Sequence, residues 1–185
     1  RAAAISHQLP LYSFIKEYYK FKQPCKLPVP LANLINGGLH ADNNLDFQEF
    51  WVIPQGIKIF KERARAVSEI FHQLGKILIA KGYDTDLGNE GGYAPELKNT
   101  EEVWQLLIKS INQAGYKIGQ EIFLGLDAGS STFYNPETKR YVLKMENRSL
   151  IASELSLVYE EWLAKYPLLA FEDPIAEEDW AGWTG

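Results

Sequence analysis

Apolar residues recur at steps of three and four through Phe60, Ala64, Val67, Phe71, Leu74 and Leu78. Gly82 follows as a natural stop, so the pattern predicts one long helix over 57–82. A second helix is predicted over 99–114. Asn99 with Glu102 three residues on makes a capping signal, Val103, Leu107, Ile111 and Ala114 line one face, and Gly115 closes it. A third is marked by Leu155, Val158, Tyr159, Trp162 and Tyr166 and broken by Pro167. Two short apolar runs, Ile122 to Leu126 and Leu168 to Phe171, read as strands covered on both faces. The later part of the chain thus alternates helix, strand, helix, strand, the rhythm of a parallel α/β sheet or barrel.

The front of the chain is less regular. Arg1 to Ser6 reads as the last turns of a helix, and Pro10 restarts one whose apolar stripe is Leu11, Phe14, Ile15 and Tyr18. Lys20 to Lys26 is a polar connection. Prolines at alternate positions make Leu27 to Ala32 extended, the expected start of an edge strand. Phe50 to Pro54 is a second extended run. Phe133 to Asn147 reads as an excursion, a turn at Asn135-Pro136-Glu137 followed by alternation at Tyr141, Leu143 and Met145 that suggests a small hairpin arm. Residues 1–26 are expected to be a helical lead-in and 27–185 the body of the fold. The chain starts without methionine and stops at Trp183-Thr184-Gly185, so both ends are expected to be cut from something longer.

Composition narrows the field. The 185 residues are 46% apolar, enough for a core, and 19 basic against 24 acidic residues leave a net charge of −5. With no basic run, nucleic acid is not expected as a partner. No apolar run approaches the roughly 20 residues of a membrane span, and the first residues do not form a signal peptide. The single cysteine, Cys25, rules out an intrachain disulfide and is read as a small hydrophobe in a reducing compartment. His7 and His72 are read as surface histidines.

Three stretches carry chemistry. Asn33 to Phe50 places a Gly pair, His40, two aspartates, a run of asparagines and Gln48-Glu49 between two strand-like runs. It is either a solvated connection held by Asx turns or a site in which Gly37 and Gly38 let backbone approach a ligand while His40, Gln48 and Glu49 supply donors, acceptors and a proton carrier. Gly88 to Pro95 surrounds Glu90 with glycines. It is either a turn with an exposed acid or a close-approach loop whose carboxyl group, if buried, is held protonated as a general acid. Two apolar strands each run straight into a carboxylate, Leu126 into Asp127 and Phe171 into Glu172. These either cap the next turn or converge at the carboxyl ends of strands, where hard divalent cations such as Mg²⁺ find oxygen ligands.

Taken together the motifs resemble enolase. Asn36-Gly-Gly-Leu-His-Ala-Asp-Asn-Asn, Gln48-Glu-Phe, Gly88-Asn-Glu-Gly-Gly-Tyr-Ala-Pro, Leu126-Asp127 and Phe171-Glu-Asp-Pro174 stand in the family's order at family-like spacings, and the likeness runs through Asp179-Trp180. The resemblance implies an α/β fold, a partial (β/α) TIM-like barrel truncated at both ends, whose first strands include an antiparallel pair. It implies a cytoplasmic, Mg²⁺-dependent lyase of glycolysis, homodimeric as the full-length parent, that interconverts 2-phosphoglycerate and phosphoenolpyruvate. Asp127 and Glu172 become two metal ligands, and Glu90 the acid for the departing hydroxyl, with Glu49 beside it. His40, Gln48, Glu49 and Glu172 are placed at the substrate. Removing a proton next to a carboxylate builds a dianionic enediolate that needs concentrated positive charge, a recognised property of enolase-superfamily sites.

The sequence departs from the family pattern at Asn89, where aspartate is usual before the acid, and over Ala128 to Thr132, where the family favours Cys-Ala-(Ala or Ser)-Ser-Glu. The family's third metal aspartate, lysine base, and phosphate-holding arginine and lysine have no counterpart here. The chain by itself is therefore expected to turn over nothing. Two other readings stay open: an enolase-superfamily lyase for a different acid, and a degenerate relative kept as a binding or structural protein.

Overall fold

A computed structural model describes residues 1–185. In chain order it contains helices α1 (Ala2–Ser6) and α2 (Leu11–Tyr18), strands β1 (Ala32–Asn36) and β2 (Glu49–Ile53), and helices α3 (Phe60–Lys81) and α4 (Thr100–Gln113). Strand β3 (Phe123–Asp127) follows, then β4 (Tyr134–Asn135), β5 (Arg140–Leu143) and β6 (Arg148–Leu150), helix α5 (Ala152–Lys165), strand β7 (Leu168–Glu172) and helix α6 (Trp180–Thr184).

The main sheet has the order β1-β2-β3-β7, with β1–β2 and β2–β3 antiparallel and β3–β7 parallel. This is an open sheet and not a closed barrel. The antiparallel pair at its start is the feature that the family resemblance implied. One face of the sheet, carrying Leu34, Phe50, Val52, Leu124 and Leu126, packs with Ala66, Ile70, Leu74 and Leu78 of α3, Trp104 and Leu107 of α4 and Trp162 of α5 in one buried cluster. Burying that many large side chains is the main favourable term holding the fold.

Several elements close as their residues dictate. Gly82 ends α3 at φ 79°, a left-handed position that glycine takes without a Cβ penalty. Asn99 caps α4 by accepting from the Glu102 amide at 2.9 Å. The turn after β4 is an Asx turn, with Asn135 Oδ1 accepting from the Glu137 and Thr138 amides. His7 and His72 are exposed, as read. No helix is long and apolar enough to cross a membrane.

Other expectations need correction. The strand anticipated at 27–32 begins only at Ala32, because Pro28 and Pro30 have no N–H to give a ladder; the pairing instead continues into Asn36. The buried face of α3 is Ala66, Ile70, Leu74, Ile77 and Leu78, rotated from the stripe read through Phe60 and Ala64. Phe71 is turned to the flank, where it stacks on Tyr93 at 4.3 Å. The α2 stripe is not core either: Leu11, Ile15 and Tyr18 are exposed. Strand β7 is not covered on both faces: Leu169 is 50% exposed, and the strand is a sheet edge with only β3 beside it. The arm has three strands and not two, and Met145 lies in the β5–β6 turn. Cys25 is exposed and not a buried hydrophobe.

Candidate active site

Strand register assembles the site. Glu49 on β2 is the register partner of Asp127 on β3, and Asp127 is the partner of Glu172 on β7. Side chains directly opposite each other leave a sheet on the same face. Three carboxylates therefore stand in one row across three strands, on the face away from the packed helices. Behind that row, Trp51, Gly125 and Ala170 are also register neighbours.

Asp127 is the best-held member. It is buried, its Oδ2 accepts from Gln48 Nε2 at 2.8 Å and its Oδ1 accepts from the Gly129 amide at 2.9 Å. Gly129 sits at φ 55°, and a Cβ there would come within 2.9 Å of Gln48 Oε1. Glycine is needed at this position both for the backbone angle and for room.

The polar stretch after β1 is exposed at Leu39, Asp42 and Asn44 and contains an Asx turn, with Asn43 Oδ1 accepting from the Leu45 amide at 3.2 Å, but it is also bonded into the fold. Gly37 N donates to Gln48 O and Gly38 N to Leu45 O, each at 2.9 Å, which folds the connection onto itself. Asn43 Nδ2 donates to the carbonyls of Asn36 and Pro95, while Asn44 both donates to and accepts from Leu97. The Gly88–Pro95 segment is laid along β1 by Asn36 N to Tyr93 O and Tyr93 N to Leu34 O, both 2.9 Å. Asn89 N donates to His40 O at 2.8 Å, which fixes the next residue, Glu90, over the histidine. Tyr93 itself fits because Gly75 on α3 has no side chain; a Cβ there would lie 2.3 Å from the tyrosine hydroxyl.

His40, Glu49 and Glu90 meet as a result. His40 Nδ1 is 3.1 Å from Glu49 Oε1 and 3.7 Å from Glu90 Oε2. The Nδ1 atom is buried and not aligned for a hydrogen bond to either. The other oxygen of Glu49, Oε2, accepts from the Trp51 indole N–H at 2.7 Å. All six residues singled out from the sequence (His40, Gln48, Glu49, Glu90, Asp127 and Glu172) thus lie at the same end of the sheet. Of the two readings left open for Glu90, the exposed acid is the one found: its side chain is 47% exposed, while that of Glu49 is 13%.

The electrostatics are those of crowded acids. Burial, followed by the Glu90 carboxyl group, pushes Glu49 up to about 7 from an ordinary 4.5. Burial raises Asp127 above its usual range despite the bonds from Gln48 and Gly129. Glu172 is raised too, first by burial and then by the Asp127 charge. No lysine or arginine is ion-paired with any of them. Neighbouring carboxylates without a basic partner fit a bound cation, and the oxygen-only pair Asp127 and Glu172 suits a hard ion such as Mg²⁺. The His40–Glu49–Glu90 group also has ligand atoms within 4.8 Å of one another, but its imidazole nitrogen suits softer metals.

Trp51, Gly129 and Asp46 were not singled out from the sequence. Asp46 accepts from the Lys144 and Met145 amides at 2.9 and 3.0 Å and so ties the arm to the His40 loop. Only the alternation of β2, which puts Trp51 on the face of Glu49, could have pointed to the first of these.

An α/β sheet whose strand ends gather acids, a histidine and a glycine-supported loop has the arrangement in which α/β barrel domains build their sites. Residues 24–185 match the family described as enolase, C-terminal TIM barrel domain. The chain belongs to the enolase family.

Proposed function

We propose that this chain is part of an enolase that dehydrates 2-phosphoglycerate reversibly to phosphoenolpyruvate, a glycolytic lyase working in the cytoplasm as a homodimer. The observation that supports it best is the register row Glu49–Asp127–Glu172, with Glu90 and His40 set over one end. Asp127 and Glu172 would hold Mg²⁺, which supplies the positive charge that a substrate gaining negative charge needs. In the dehydration direction a base takes the C2 proton, the C3–O bond breaks, and Glu90 gives its proton to the hydroxyl, which departs as water. Glu90's partial exposure leaves it reachable by that hydroxyl, while Glu49, beside it, repels a second negative charge and so favours the proton staying on the pair. His40 and Gln48 would contact the substrate.

By family resemblance the base is a lysine and a third aspartate completes the ligands. Neither stands among the side chains gathered here, so both would come from other residues of the parent. Glu90→Gln in that parent is expected to lower the rate by about 10²–10⁴-fold, the usual worth of a positioned proton donor. Unchanged turnover of 2-phosphoglycerate by that variant would overturn the assignment, and turnover by the 185 residues alone would overturn the need for the remainder.

A further inference from the structure

We propose that Trp51 is a positioning residue for Glu49, fixing which of its oxygens faces His40 and Glu90. Glu49 and Trp51 are two apart on β2 and so leave the sheet on one face. The indole lies there because Gly125, its register partner on β3, has no side chain; a Cβ on Gly125 would come within 2.9 Å of the Trp51 ring. With its body held between that glycine and the strand, the buried ring aims Nε1 back along β2 at Glu49 Oε2, 2.7 Å away. An indole N–H can only donate, and once Glu49 is ionised, above about pH 7, the bond is charge-assisted and short. Tethered through Oε2, Glu49 has one remaining orientation for Oε1, toward His40 Nδ1 at 3.1 Å. Tryptophan thus acts at this position through its N–H as well as its bulk. A ring without the N–H would pack equally well over Gly125 but leave the Glu49 carboxyl group free to turn. The inference deepens the proposed reaction by naming what holds the partner of its acid.

The test is ¹H–¹⁵N spectroscopy of the full 185-residue chain, which has five indole signals. The Trp51 signal is identified by its loss in Trp51→Phe. It is expected downfield of an unbonded indole and to move upfield in Glu49→Gln, whose neutral amide oxygen is a weaker acceptor, while staying in place in Glu172→Gln. His40 imidazole nitrogen signals are expected to shift in Trp51→Phe and to hold in Ile53→Val, which disturbs the same strand face without removing a donor. A Trp51 signal indifferent to Glu49→Gln, or His40 signals equally moved by Ile53→Val, would overturn the inference. Unchanged positions of the other four indole signals confirm that each variant is folded. No metal or substrate enters these readouts, so their failure is separable from failure of the dehydration reading, which is decided by turnover.

Discussion

The Gln48 side-chain amide donates to the Asp127 carboxylate at 2.8 Å although 79 residues separate them. The bond joins the polar connection after β1 to the end of β3, and it is the only side-chain hydrogen bond that ties that connection directly to the carboxylate row. A ligand carboxylate held by an outer partner is aimed more precisely than a free one. Gln48→Leu is therefore expected to weaken Mg²⁺ binding by about 10-fold or more while shifting the melting temperature little. Calorimetric titration alongside thermal melting checks this.

Gly129 is the other holder of Asp127. Gly129→Ala must place a Cβ on a left-handed residue and against Gln48. It is expected to destabilise the fold by roughly 1–3 kcal/mol, read as a lower urea midpoint with unchanged slope. The same change at Gly91, also at positive φ but with open space around it, should show the backbone cost without the collision with Gln48.

Asp46 spans the gap between the His40 loop and the arm with two backbone hydrogen bonds. Burial raises its proton affinity, with the two amides acting in the opposite sense. Asp46→Ala leaves both amides without their acceptor and is expected to cost about 1–3 kcal/mol. The more specific sign is faster trypsin cleavage after Lys144, at the turn that Asp46 holds down.

Acidity bears on stability in a definite direction. Glu49 is pushed up to about 7 in the folded chain from an ordinary 4.5, so between those pH values the folded state keeps a proton that the unfolded state has lost. Its contribution is fully present below about 4.5 and is lost as pH rises through about 7. In the absence of divalent cations, raising the pH across this window is expected to lower the urea midpoint more for the native sequence than for Glu49→Gln. A native curve as flat as the variant's contradicts the crowding of acids described above.

The open sheet also has consequences. Strand β7 is an edge with Leu169 half exposed, and Trp180 of α6 is 73% exposed. Unpaired edges and apolar patches promote association. Sedimentation is expected to show concentration-dependent self-association that Leu169→Lys reduces.

Much of this was legible from residue patterns, and the exceptions have physical causes. Helices α3, α4 and α5 were placed by periodicity and by Asn99, Gly82 and Gly115. Their buried faces were not always placed, because a stripe read along α3 cannot tell Phe71, turned outward to stack on Tyr93, from Ile70, which meets the sheet. Strand β7 has the composition of a buried strand, yet it stands at the edge of an open sheet with Leu169 half exposed, a placement that no single segment reveals. The site residues stood out as motifs, but their row could not be read, since register between β2, β3 and β7 is a property of pairing and not of any one segment. Trp51 was hidden for the same reason. It reads as an apolar strand residue until Gly125 is found opposite it.

The central claim is that Asp127 and Glu172, joined by strand register, share one divalent cation. Titrating Mg²⁺ into the ¹⁵N-labelled chain and following the backbone signals of both residues tests it most directly. Both signals are expected to move together with one dissociation constant, and Asp127→Asn should abolish the response at Glu172. Signals that move independently, or a Glu172 response that survives Asp127→Asn, would contradict the claim.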